Sequence, residues 1–172
     1  MTEALAQRLK QSRFSSPQQE ALLSILVTAS VLNERMEGLC ESHGITLPQY
    51  NVLRILRGAH PAGHPRCEIA SRMIDRAPDV TRLVDRLQAR RLVKRTRGGE
   101  DQRQALASIT AKGLRLLTNM QPKVDALFQT LFQKLSDNDC RELSRLCSLI
   151  FAMDPANGCI GHDYIEETRE PR

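Results

Sequence analysis

Between residues 66 and 103 the chain gathers eleven of its 25 Lys and Arg side chains with six of its 20 Asp and Glu, leaving fourteen of each sign elsewhere. The whole formal excess of +5 therefore sits in one short segment. Nearly all of its cations are arginines. A guanidinium stays charged at any physiological pH and offers a planar fork of donors, so it grips phosphate or a guanine edge rather than moving protons. Two spacings stand out within the segment. Asp79, Thr81, Arg82 and Arg86 fall close together, and Arg97 is followed by Asp101 and Arg103, an acid two residues before a base. Residues two apart on a strand share a face, so Asp101 can hold the Arg103 guanidinium in one orientation.

The elements that must position these groups can be read from periodicity. Val80, Leu83, Val84 and Leu87 fall at i, i+3, i+4 and i+7. That spacing predicts a helix from Pro78 to Arg90, with Pro78 at its first position and Asp79 at the positive end of its dipole. Its outer face carries Asp79, Thr81, Arg82, Asp85, Arg86 and Arg90. A shorter helix over Glu68 to Ile74, built on Ile69, Met73 and Ile74, precedes it almost without a gap. After it, residues 92–96 and 105–109 read as two strands joined through Gly98-Gly99, a β-hairpin with a charged tip. Two short helices with the second presenting Thr and Arg, followed by a hairpin, make a helix-turn-helix with a wing. Such a unit places its second helix in the major groove of duplex DNA. Arg then donates two bonds to guanine O6 and N7, and a hydroxyl near the helix start reaches phosphate. The wing presents Arg103 to a narrow minor groove.

Long helices flank this head. Pro17 opens one that runs to about His43, with Leu22, Ile25, Ala29, Leu32, Met36 and Leu39 along one stripe, and Gly44 ends it. Residues 47–57 form an amphipathic helix through Tyr50, Leu53 and Leu56, and Pro61, Gly63 and Pro65 form a stiff loop. After Thr110 as N-cap, Leu114, Leu117, Val124, Leu127, Phe128, Leu131 and Leu135 carry a helix with a kink expected at Pro122. Ser136 or Asp137 caps a last helix striped by Leu143, Leu146, Ile150 and Met153. Narrow apolar stripes at both ends suit association with a second copy, which a symmetric DNA reader needs. The expected division is 1–44 for the N-terminal dimerisation region, 45–110 for the winged head, 111–153 for the C-terminal dimerisation helices, and 154–172 for a poorly ordered tail. The fold class is mainly α with a small β-wing.

The stretches APDVTRLVDRLQARRLVKR (77–95), EDQRQALASITAKGLRLL (100–117) and ITLPQYNVLRIL (45–56) resemble the MarR family of bacterial regulators over roughly residues 20–153. The resemblance implies a homodimer joined by its terminal helices, a winged head on each subunit, a palindromic duplex operator, and repression relieved by a small molecule or oxidant. By position it assigns Thr81, Arg82 and Arg86 to the recognition helix and Asp101 and Arg103 to the wing's Asp-x-Arg. It also implies an effector, often an aromatic acid, near Arg35, Met36, His43, Gln49 and Tyr50. The chain departs from the family pattern at three places. Gln102 replaces a second wing Arg, Arg91 stands where Gly commonly ends the recognition helix, and the Pro61 to Pro65 loop replaces the usual first strand.

Other chemistries fit poorly. Aromatic residues make up 3% of the chain and Trp is absent, which disfavours stacking on exposed bases. The five cysteines, Cys40, Cys67, Cys140, Cys147 and Cys159, are an odd number without a CxxC pair, so neither a disulfide framework nor a zinc ribbon is suggested. His60, His64 and Cys67 have ligand-like spacing but lie in a Pro-rich loop without an evident fourth ligand, and no metal or other cofactor is expected. No nucleophile with its base, Gly-rich phosphate loop or catalytic carboxylate pair emerges, so no enzyme is expected. A thiol-oxidation sensor of the same fold and a helical interaction adaptor without DNA binding are the alternatives. The start lacks a secretory pattern and no stretch suits a membrane span, so a cytoplasmic location is expected.

Overall fold

A computed structural model of the chain describes residues 3–11, 13–75, 79–97 and 105–153. Pro78, Gln102, the wing pair Asp101 and Arg103, Cys159 and the 154–172 tail lie outside them. The chain divides into two compact units, Met1–Val124 and Asp125–Arg172.

The first unit opens with a seven-residue helix α1 (Glu3–Leu9), which buries Leu5; it is too short for periodicity to reveal. Helix α2 (Pro17–Glu41) begins where Ser16 Oγ accepts from Gln19 N, with Pro17 just inside the start. It ends before Gly44, whose φ of +72° is a conformation glycine adopts freely. Thr46 and Gln49 then form a reciprocal capping box that starts α3 (Leu47–Gly58). This helix sinks Tyr50, Val52, Leu53 and Leu56 into the core.

The Pro-rich loop does yield a strand, contrary to its reading as irregular. Strand β1 (His64–Pro65) pairs antiparallel with β3 (Ala105–Ile109), and β2 (Val93–Arg97) pairs with the other side of β3. The registers are His64 opposite Ala107 and Val93 opposite Ile109. The approach depends on Gly63, with φ of +86° and so close to the Ala107 carbonyl that a Cβ would collide with it. An edge strand tolerates Pro65 because only one side of it needs to pair.

Helix α4 (Arg66–Ser71) stops at Ser71, three residues short of the sequence-based expectation. Ile69 and Met73 are buried, but Ile74 is 82% exposed and takes no part in the core. Helix α5 (Val80–Ala89) buries Val80, Leu83, Val84 and Leu87, the four positions its periodicity names. Arg91 follows it in a left-handed conformation, φ +60°. Thr110 Oγ1 accepts from Gly113 N at 3.1 Å and so caps α6 (Ala111–Phe132), which continues as one helix through Pro122. Gly113 packs against the start of β2, where a Cβ would meet Leu92 O and Ile109 Cγ1. One apolar cluster, from Cys40 through Val84, Leu87 and Ile109 to Met120 and Val124, joins these elements.

In the second unit, Ser136 and Asp139 form a capping box at the start of α7 (Asp137–Phe151). The Ser136 hydroxyl and backbone N–H hold the Asp139 carboxyl below its ordinary pKa. Leu143, Leu146, Leu149, Ile150, Phe151 and Met153 are all exposed.

Candidate nucleic-acid interface

Helix α5 separates its two tasks by face. Its apolar residues lie against α3 and the sheet, while Asp79, Arg82, Asp85, Arg86 and Arg90 are exposed and Thr81 is half-buried. Asp79 stands at the N-cap rather than inside the first turn, its carboxylate accepting from Arg82 N at 3.2 Å. The same carboxylate meets Arg82 Nε at 3.2 Å. Both partners are largely solvated, so this pair contributes little to stability and leaves the guanidinium able to change partner. Arg86 is one turn further on, also exposed.

Four contacts tie this helix and its C-cap to their surroundings. Arg66, the first residue of α4, donates through NH1 to Thr81 Oγ1 at 2.7 Å. Arg95 on β2 donates to Asp85 at 2.5 Å. At the far end Arg90 donates to the Gly44 carbonyl in the turn after α2, and the Arg90 carbonyl accepts from Lys112 Nζ at 3.0 Å. The sequence pattern singles out none of these arginines as partners, because each contact joins residues ten or more positions apart. Arg82 lies three residues from both Asp79 and Asp85, so local spacing alone allows it either partner. It takes Asp79, whereas Asp85 goes to Arg95.

Arg97 ends β2 opposite Ala105, so the strand delivers the chain to the wing tip. Asp101 and Arg103 lie beyond the described residues. Their expected pairing is neither brought together nor separated here.

The five effector candidates fall in the first unit. Gln49 is 6% exposed, and its side-chain oxygen accepts from Thr46 N. Tyr50 is also buried; its hydroxyl accepts from Arg54 NH1 at 3.2 Å, and the Arg54 guanidinium lies 5.9 Å from the ring centroid. Both thus have structural partners. Met36 packs against the core, Arg35 is exposed, and His43 is half-buried. His43 Nδ1 lies 3.0 Å from both Leu39 O and Ser42 Oγ. Its Nε2 lies 3.4 Å from Lys123 Nζ.

Among the thiols, Cys40 is buried and pushed up to about 11 by desolvation and by the nearby Glu37 charge. Cys67 is exposed, and Cys140 and Cys147 are half-buried. Among the described residues no group of three or more His, Cys, Asp or Glu could hold a metal ion. No helix among them is long and apolar enough to cross a membrane.

A model described as the MarR family matches residues 45–105. A crystal structure of a MarR transcription factor from Planctomyces limnophilus is 37% identical with a TM-score of 0.61, covering 80% of this chain and 99% of that one. The HTH-type transcriptional regulator MhqR of Bacillus subtilis is 26% identical over 121 residues, 69% of this chain and 82% of the relative. The PcaV transcriptional regulator of Streptomyces coelicolor, solved in complex with its natural ligand, is 25% identical with a TM-score of 0.60, covering 73% and 89%.

Proposed function

The chain belongs to the MarR family of transcriptional regulators, and from that membership we propose that it binds a palindromic duplex operator as a homodimer and represses transcription until a small molecule releases it. The observation that carries this reading is the two-faced helix α5. Its apolar side is fully committed to the core, and its opposite side offers Thr81, Arg82 and Arg86 to solvent. A helix of that kind fills a major groove.

In this reading Arg82 and Arg86 contact base edges, and Thr81 donates to the duplex. Asp79 holds the helix start and the resting position of Arg82. Arg97, Asp101 and Arg103 of the wing reach the backbone and the minor groove. The exposed apolar side chains of α2 (Leu22, Ile25 and Leu26) and those of α7 are surface that a second copy would cover. The effector is a small aromatic acid, with Arg35, Met36, His43, Gln49 and Tyr50 as its contacts, of which Arg35 is exposed. The protein works in the cytoplasm and catalyses no reaction.

Footprinting the DNA that flanks its own gene tests the proposal. Protection of two half-sites about one helical turn apart is expected, lifted by the effector. A single unpaired half-site would contradict the dimer, and no protection beyond that of random duplex would contradict sequence-specific repression.

A further inference from the structure

Arg66 enters α4 directly from Pro65, whose strand β1 is paired with β3 at Leu106. The wing sheet therefore anchors the backbone from which this arginine reaches the reading helix. Its NH1 donates to Thr81 Oγ1 across 2.7 Å, on the exposed side of α5. A guanidinium has donors only, so the Thr81 oxygen must be the acceptor in this contact. The cation also disfavours any rotamer that points the hydroxyl proton back at the guanidinium, leaving that proton for another acceptor. No acceptor among the described residues takes that proton.

We propose that Arg66 is a positioning residue of the DNA interface, which polarises the Thr81 hydroxyl into an outward hydrogen-bond donor aimed at an acceptor atom of the duplex. Acceptors of that kind are phosphate oxygens, purine N7, guanine O6 and thymine O4. The inference rests on reading the chain as a duplex-DNA binder. It adds a residue outside the reading helix and a polarity for Thr81.

The test uses the full-length chain and a duplex selected by the wild type from a random library. Arg66→Ala and Thr81→Val should each weaken binding about tenfold, the scale of one hydrogen bond assisted by charge. Because both remove the same contact, the double variant should fall within about threefold of the worse single one. Thr81→Ser keeps the hydroxyl and should bind as the wild type does. Repeating the selection with Arg66→Ala identifies the acceptor. Relaxed preference at one base pair and its symmetry mate assigns it to a base edge, while uniform weakening with unchanged preference assigns it to phosphate. Losses that multiply in the double variant, or Thr81→Val binding like the wild type, would overturn the proposal and leave DNA binding intact. A wild-type chain that enriches no duplex would overturn the underlying reading as well, so the two failures are distinguishable.

Discussion

Arg95 on β2 and Asp85 on α5 meet at 2.5 Å, so the strand that leads into the wing is tied to the middle of the helix that presents Arg82 and Arg86. Both side chains are partly solvated, 36% and 52% exposed, and exposed pairs contribute at most about 1 kcal/mol. The role of the pair is geometric. Asp85→Ala should lower operator affinity several-fold while the melting temperature moves by less than about 4 °C. Thermal denaturation and a binding titration on the same preparation check this. A large loss of stability with unchanged affinity would show the pair to be structural only.

Gly113→Ala sets two effects against each other. Alanine in a helix interior is favoured over glycine by about 1 kcal/mol. The added methyl would, however, run into the Leu92 carbonyl and lie 2.7 Å from Ile109 Cγ1. A backbone carbonyl held by the Thr110 N–H and hydroxyl cannot retreat cheaply, and overpacking costs roughly 1–3 kcal/mol. Net destabilisation is expected, read as a lower urea midpoint; a raised midpoint would contradict the packing described here.

Arg91→Gly should have the opposite sign. Arg91 holds φ at +60°, a conformation that costs an L-residue about 1–2 kcal/mol and costs glycine almost nothing. Glycine's greater freedom in the unfolded chain offsets about 0.4–1 kcal/mol of that gain. A small rise in the urea midpoint is expected, with base preference unchanged.

Thiol chemistry separates the cysteines. Burial and Glu37 hold Cys40 as the neutral thiol to about 11, above its ordinary 9.0. The folded state thus resists losing that proton, and stability should decline as pH rises above the unfolded value near 9. At pH 8, iodoacetamide followed by peptide mass spectrometry should label Cys67 rapidly and Cys40 only after unfolding. Rapid labelling of Cys40 in the folded protein would contradict its burial.

What was legible in the sequence depended on range. The core face of α5, the hairpin strands, Pro17 and Thr110 as helix starts and Gly44 as a stop all follow from signals within a few residues. Strand β1 did not, because two residues that include a proline carry no pattern. Their pairing depends on Gly63 fitting against Ala107, more than forty positions away. Ile74 departs from its expected place for a related reason. Its spacing suits an apolar stripe, but α4 ends at Ser71 and leaves it in solvent. The partners of Thr81 and Asp85 were equally invisible, since Arg66 and Arg95 reach them through the fold. Composition showed where the positive charge lies, but not which arginines act together.

The central claim is that the outer face of α5 reads duplex DNA, and titrating wild type and Arg82→Ala against a selected operator and a scrambled duplex tests it most directly. Wild-type affinity should fall steeply with salt as phosphate contacts release counterions. Arg82→Ala should lose about 1–3 kcal/mol on the operator, much less on the scrambled duplex, and discriminate less at one base position. Equal affinity of Arg82→Ala and wild type for the operator, or salt-independent binding, would contradict it.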